Sequence, residues 1–164
     1  MVVRCTRRML ALLGRAVALA DLPPSDEDWY AILLWLDRRK CLLLTHAGTL
    51  FSVFAPDVRA ADLRPLGPCV TAIVQRELRS EGLASDALGS LDPGAVQVAK
   101  TASRSLLGFM NDMAAHIDYA VAAAGGLSSC HIEGVNQQLR RTPYNRGGYL
   151  YPIDLVSGRG EPAG

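Results

Sequence analysis

The sequence predicts an α+β protein with a single antiparallel sheet of four or five strands and helices packed mainly on one face. Two observations support this fold class. Residues 29–55 contain three short apolar runs separated by turn residues, a pattern typical of neighbouring antiparallel strands. From residue 103 onward, apolar residues recur at spacings of three and four, which predicts helices.

Length and composition predict one globular domain over residues 1–156 and a disordered tail at residues 157–164. The chain has 164 residues, of which 49% are apolar and 20% are charged, enough for one ordinary core. Its 17 basic and 16 acidic side chains give a net charge of +1. Since no global positive field attracts nucleic acid, such a partner would need a local basic patch.

The N-terminal residues predict a strand followed by a helix. Val2–Thr6 has strand character, and Thr6 is placed to cap the helix that follows. Arg7-Arg8 and the next apolar residues imitate a secretory signal, but Arg15 interrupts the apolar run after about six residues. No run reaches the ~18 residues of a membrane span. We therefore expect a retained N-terminus and a cytoplasmic protein without membrane contact.

The central strands are predicted as a meander. Trp29–Leu36 and Cys41–Leu44 form a hairpin, and Leu50–Ala55 follows a turn that contains Gly48. The first two runs lack polar alternation, which predicts that both faces of the sheet are covered. We place the N-terminal strand at one edge, and residues 95–99 alternate like a further strand.

The helices are predicted from their caps and apolar spacing. One begins near Pro68 and ends at Gly82, and residues 85–91 suggest a brief second one. The longest runs from Ser103, its N-cap, to Ala124, and the last covers residues 131–141. The long helix should cross the sheet through one apolar stripe, formed by Leu106, Phe109, Met110 and Met113.

The order of these segments resembles an uncharacterised bacterial family, domain of unknown function 6933. The most specific match is Lys100-Thr101 with Arg104-Ser105-x-Leu107-Gly108-x-Met110-Asn111-Asp112. Further matches are Val3-Arg4-Cys5-Thr6, Trp29-Tyr30-Ala31, Asp37-Arg38-Arg39-Lys40, Thr49-Leu50-Phe51-Ser52, Asn136-x-x-Leu139-x-Arg141-Thr142-Pro143 and Tyr149-x-Tyr151-Pro152-Ile153. The resemblance covers about residues 2–155. It implies one intact cytoplasmic domain and supplies no catalytic residues.

The polar side of the long helix is the strongest candidate site. Arg104 and Asn111 share a helix face, and Lys100 lies just upstream of the helix. Lys100 and Arg104 would therefore place positive charges near the helix N-terminus, where a phosphate or carboxylate could bind. Gly108 lies between them and costs about 1 kcal/mol relative to Ala, which favours a close approach by a ligand or another backbone. With Arg141, these residues form the predicted ligand-binding set. The alternative is a solvated or structurally bonded face.

Asp112 and His116 are weaker, catalytic candidates. Their i, i+4 spacing lets a carboxylate orient an imidazole for proton transfer, but the sequence identifies no nucleophile. The alternative is that both form the rim of the helix. His46 and His131 are interpreted as solvent contacts or caps. The four cysteines are far apart and predict buried free thiols, and we expect no metal site and no cofactor.

Two clusters suggest a local basic patch for nucleic acid or a protein partner. One is Arg38-Arg39-Lys40, and the other is Arg140-Arg141 with Arg146 and three tyrosines, at positions 144, 149 and 151. The alternative is that the basic turn is simply a soluble loop.

Two functions of different class follow. The first is a small bacterial interaction or regulatory module, of a mobile-element or toxin–antitoxin kind, that binds an anionic ligand or partner in a polar groove. The second is an enzyme acting on RNA or a nucleotide, which uses Lys100 and Arg104 for phosphate and Asp112 or His116 for proton transfer. A pocket that joins Lys100, Arg104, Asn111 and Arg141 favours the enzyme, whereas an exposed flat helix face favours the module.

Overall fold

A five-stranded mixed sheet forms the centre of the molecule, in a computed structural model that describes residues 1–145 and 147–158. The strand order is β4-β3-β2-β1-β5. The sheet strands are β1 (Val2–Cys5), β2 (Trp29–Leu36), β3 (Arg39–His46), β4 (Ser52–Ala55) and β5 (Gln97–Lys100). The helices are α1 (Arg7–Leu13), α2 (Leu66–Ser80), α3 (Arg104–Ala123), α4 (Ile132–Arg141) and α5 (Pro152–Ser157). A short hairpin, β6 (Tyr144–Asn145) and β7 (Tyr149–Leu150), follows α4.

The α+β class is confirmed, but the sheet is mixed rather than purely antiparallel. The β2–β3–β4 meander is antiparallel as predicted, and its first turn, Asp37-Arg38, has positive φ at both residues, as a two-residue hairpin favours. In contrast, β1 pairs in parallel with both β2 and β5. The N-terminal strand therefore lies inside the sheet, between β2 and β5, and its predicted edge position is wrong. Parallel neighbours need long crossovers, and the α1 segment supplies the one between β1 and β2.

Helices cover both faces of the sheet, which corrects the prediction that they lie mainly on one. Residues of α1, α2 and α5 pack on the face that carries Trp29 and Leu44. Residues of α3 and α4 pack on the opposite face, against Tyr30 and Leu43. The unbroken apolar runs of β2 and β3 require this arrangement, because successive side chains point to opposite faces.

Helix α3 has the predicted cap, length and apolar stripe. The Ser103 hydroxyl accepts a hydrogen bond from the Leu106 N–H at 3.2 Å, and Gly125 and Gly126 follow the helix at positive φ. The predicted stripe is buried against β2 and β3: Leu106, Phe109, Met110 and Met113. The brief helix expected at residues 85–91 is absent, since this described segment forms turns instead.

Of the tail predicted at residues 157–164, the first two residues are described. Ser157 is the last residue of α5, and Gly158 forms a turn hydrogen-bonded to the Asp154 carbonyl. Residues 159–164 lie outside the described residues. Across the described part of the chain, no helix combines the length and the apolar character that crossing a bilayer demands.

Candidate functional site

A cavity of about 500 Å³ lies at the N-terminal end of α3. One side is formed by the loop at residues 24–26, and the other by residues 102–106 at the start of the helix. Polar side chains line one part of the cavity: Ser25, Asp26, Ser103, Arg104 and Ser105. Tyr30, Leu50, Phe109 and Tyr144 form an apolar part. The site therefore combines a charged rim with an aromatic wall.

The charged rim centres on Arg104, the first residue of α3, whose side chain is exposed. The first N–H groups of a helix lack intrahelical acceptors, and the helix dipole makes this end positive. The Ser103 hydroxyl caps Leu106 N–H and also lies 3.2 Å from the Ser105 hydroxyl. Asp26, in the loop at residues 24–26, contributes one carboxylate to the lining of the cavity.

The aromatic wall is built from the sheet and from the segment after α4. Tyr30 is almost fully buried, and burial raises the pKa of its phenol, although Arg4 and a hydrogen bond with the Ala102 backbone act in the opposite direction. Phe109 and Tyr144 meet edge to face, with ring centroids 5.0 Å apart. A neutral phenol and two packed rings give the cavity a rigid apolar surface.

A buried ion pair fixes the loop at residues 24–26, which forms one side of the cavity. Arg4 Nε donates to Asp28 Oδ2 at 2.5 Å, and both side chains are 4% exposed. The same guanidinium donates to the carbonyls of Leu22 and Pro23 at 2.9 Å, while Asp28 Oδ2 accepts from Ser25 N–H at 3.0 Å. This pair was not predicted from the sequence. A single arginine within the apolar Val2–Cys5 strand was the available signal, because a buried charge needs a partner.

The four residues of the predicted ligand-binding set are not joined in one pocket. Arg104 lines the cavity. Lys100 is exposed at the end of β5, where its backbone carbonyl accepts from Arg4 at 3.0 Å. Asn111 lies on the exposed side of α3, and Arg141 is bonded to the Glu81 carboxylate at 2.6 and 3.0 Å. The polar helix face is thus exposed as predicted, and of these four residues Arg104 alone lines the cavity at the N-terminal end of α3.

Gly108 lies in open space on this exposed face. A Cβ added there has no described atom within 4 Å. The fold itself therefore does not require glycine at this position, and the close approach that we predicted there stays a prediction about an external molecule.

Arg140 is not a surface residue, which corrects its place in the predicted basic patch. Its side chain is fully buried over the Phe51 ring, with the guanidinium 4.5 Å from the ring centroid. It donates to Glu77 at 2.5 Å, to Glu81 at 2.7 Å and to the Ser52 carbonyl at 3.2 Å. Hydrogen bonds from Arg141 and Arg140 hold the pKa of Glu81 below its usual value, against the opposing effect of burial. Carboxylates thus neutralise this half of the predicted patch.

The other parts of the patch are separate. Arg38 and Arg39 are exposed at the β2–β3 turn, and Arg39 lies 3.6 Å from Asp57. Tyr149 and Tyr151 are exposed, whereas Tyr144 packs against Phe109. Arg146, the remaining predicted member, lies outside the described residues.

Asp112 and His116 line a second cavity of about 470 Å³, which adjoins the first. Phe109 and Tyr144 border both cavities. Within the described residues, no hydrogen bond or ion pair joins Asp112 to His116. The structure therefore brings both candidates to one groove and does not pair them.

His46 differs from its prediction as a solvent contact or cap. It is the last residue of β3 and is fully buried. Its Nδ1 lies 3.0 Å from the Thr49 hydroxyl, and its ring packs edge to face on Trp29 at 5.2 Å. His131 is exposed directly before α4.

The four cysteines are free thiols. Cys5 and Cys41 are buried, whereas Cys69 and Cys130 are half-buried. Burial raises the pKa of Cys5 to about 12 and also raises the pKa of Cys41 and Cys69, which disfavours the reactive thiolate. Among residues 1–145 and 147–158, no group of three His, Cys, Asp or Glu side chains is arranged to hold a metal ion.

Fold and site together define an α+β protein with one five-stranded mixed sheet and two adjoining cavities along α3. The profile of the family described as Domain of unknown function (DUF6933) matches residues 2–155, and the chain belongs to this family. The match runs from β1 into α5 and so includes every residue that lines the two adjoining cavities. Comparison with curated protein sequences gave no match.

Proposed function

We propose that this protein is an interaction or regulatory module that binds an anionic ligand at the N-terminus of α3. The observation that carries the proposal is the 500 Å³ cavity, which is lined both by Arg104 at the positive end of α3 and by Tyr30, Phe109 and Tyr144. A ligand that joins a carboxylate or phosphate to an apolar body matches both parts of this cavity.

The charges in the cavity favour an anion only locally. Arg104 supplies one positive charge, and the helix end adds roughly half a charge. Asp26 offsets part of this field. The small positive charge that remains in the cavity suits a single anionic group rather than a long polyanion. The net charge of the whole chain, +1, is likewise too low to attract a polyanion.

The separation of the candidate residues favours a binding module over the alternative enzyme. Asp112 and His116 line the adjoining cavity, whereas Arg104 lines the first cavity. Proton transfer needs an acid or base within hydrogen-bond reach of the reacting group. The bacterial and cytoplasmic setting, and a role in a mobile-element or toxin–antitoxin system, stay predictions.

The proposal is tested by titrating the full chain with phenyl phosphate, benzoate and inorganic phosphate in a calorimeter. We expect the two aromatic anions to bind and Arg104→Ala to weaken them at least tenfold. Arg7→Ala is the matched control, because Arg7 is likewise exposed and directly follows the N-cap of its helix. Lys100→Ala should also retain binding, since Lys100 lies outside the cavity lining. Equal binding by the Arg104 variant would contradict the proposal, and phosphate release from phenyl phosphate would support the enzyme.

A double variant separates a binding role from a structural one. Lys100→Ala combined with Arg104→Ala should weaken aromatic-anion binding as much as Arg104→Ala alone and leave the thermal midpoint nearly unchanged, because exposed charges contribute only about 0–1 kcal/mol to folding. A stability loss above about 2 kcal/mol, with binding intact per folded molecule, would assign these cations a structural role instead.

A further inference from the structure

We infer that the Arg104 cavity is one end of a longer groove that binds an extended peptide segment of a partner protein, with an acidic side chain at Arg104 and a basic side chain at Asp112. The inference rests on the proposed function, and it names the class of partner.

The groove follows α3 for most of its length. The first and second cavities share Phe109 and Tyr144, and the second shares His116, Tyr119 and Thr142 with a third cavity of about 330 Å³. Their lining extends along the helix from Ser103 to Ala120. At about 1.5 Å per residue, this distance is roughly 25 Å, which exceeds the length of a small aromatic anion. Tyr119, 77% exposed, offers a large aromatic surface beside the groove.

The sign of the charge changes along the groove. In the first cavity, Arg104 and the positive helix end outweigh Asp26. In the second cavity, Asp112 supplies a negative charge beside His116. A single-stranded RNA presents phosphates of one sign throughout and would meet repulsion at Asp112. A peptide can present opposite charges at the two positions, so charge complementarity favours a peptide.

The spacing of the two charges fits an extended chain. Arg104 and Asp112 are separated by two helical turns and a fraction, or about 12 Å along α3. An extended peptide rises about 3.3 Å per residue and directs alternate side chains to the same side, so positions i and i+4 lie about 13 Å apart. Position i+2 then falls between the cavities, against the Phe109 and Tyr144 rings. The expected peptide therefore carries an acid, an apolar residue and a base at every second position.

The test uses two fluorescein-labelled peptides and measures binding to the full chain by anisotropy. The matching peptide has the core Asp-Ala-Phe-Ala-Lys, and the comparison peptide has the core Lys-Ala-Phe-Ala-Lys. We expect the wild type to prefer the matching core at least tenfold, whichever way the chain runs along the groove. Arg104→Glu should invert this preference, because the groove then presents two acidic side chains. Lys100→Glu makes the same change of charge at an exposed residue outside the three cavities and should leave the preference unchanged.

The single variant Asp112→Asn keeps the side-chain shape and should weaken the matching peptide three- to tenfold, which gives a readout even where Arg104→Glu fails to fold. Equal binding of the two peptides by the wild type, or an unchanged preference in Arg104→Glu, overturns the inference. Tighter binding of a labelled ten-nucleotide oligouridine than of the matching peptide also overturns it and indicates RNA. Binding of phenyl phosphate that depends on Arg104, without discrimination between the peptides, rejects the peptide and leaves the proposed function standing.

Discussion

The side-chain amide of Asn136 makes the two hydrogen bonds with Phe54 that the backbone of a neighbouring strand would make. Its Oδ1 accepts from the Phe54 N–H at 2.6 Å, and its Nδ2 donates to the Phe54 carbonyl at 2.9 Å. Phe54 belongs to the edge strand β4, whose Ser52 carbonyl also accepts from Arg140 at 3.2 Å. Helix α4 therefore closes a sheet edge that would otherwise offer a template for another chain.

Asn136→Leu should lower the free energy of unfolding by about 2–4 kcal/mol, because it leaves the buried N–H and carbonyl of Phe54 without their partners. Urea denaturation measures the loss. Gln138→Leu introduces the same side chain at an exposed position of α4 and should change the stability by less than about 0.5 kcal/mol. Similar stabilities for the two variants would show that the Asn136 amide is dispensable at this edge.

Arg140→Met should destabilise the protein by about 3–5 kcal/mol, since it leaves the buried carboxylates of Glu77 and Glu81 facing an apolar side chain. Arg141→Met makes the same change in the neighbouring residue, which is 50% exposed, and should cost about 0–1 kcal/mol. Denaturation with guanidinium chloride at pH 7 measures the loss of stability in each variant. An equal cost for both substitutions would contradict a structural role specific to Arg140.

Glu81 should make the folded state sensitive to acid. Its pKa is lowered in the folded protein, so its ionised form stabilises the fold above the ordinary value of 4.5, and this contribution is lost as the pH falls through the folded-state pKa. Glu81→Gln lacks this contribution at every pH. The stability gap between wild type and Glu81→Gln should therefore be large at pH 7 and narrow towards pH 3, as thermal midpoints measured across this range would show. A constant gap for Glu81→Gln across this range would refute the linkage.

Met113→Asp should cost more than about 3 kcal/mol, because it places a carboxylate in the apolar contact between α3 and the sheet. Asn111→Asp adds the same charge two residues earlier, on the exposed side of the helix, and should be nearly neutral. Thermal and denaturant midpoints of the two variants provide the comparison. Unchanged midpoints for Met113→Asp would reject the assigned packing of the stripe.

Gly108→Ala should raise the stability by about 0.5–1 kcal/mol, since Ala is the better helix former and its Cβ meets open space. The same variant should bind phenyl phosphate as the wild type does, because Gly108 lies outside the lining of the Arg104 cavity. Thermal unfolding and calorimetry together check both statements. A destabilised variant would show that the face is covered in solution.

The local sequence was sufficient to predict those elements that are stabilised by interactions between residues close in the chain. Thr6 and Ser103 cap α1 and α3 through backbone groups three residues away, so a short window contained the whole interaction. The apolar runs at residues 29–36 and 41–44 were also sufficient to predict buried strands covered on both faces. For the site, sequence periodicity placed Arg104 correctly at the start of an exposed helix face.

Tertiary structure decided which polar residues are buried and where the cavity lies. Arg140 and Arg141 are neighbours of identical chemistry, yet one helical step turns the first inward to Glu77, 63 residues away, and leaves the second half-exposed. Asp28 and Phe54, which pair with Arg4 and Asn136, lie 24 and 82 residues away, and the interior place of β1 in the sheet depends on its pairing with β5. Which polar residue is buried and which strands pair therefore depend on residues that are distant in the sequence. A buried polar group must be hydrogen-bonded, and only the folded chain brings its partner close.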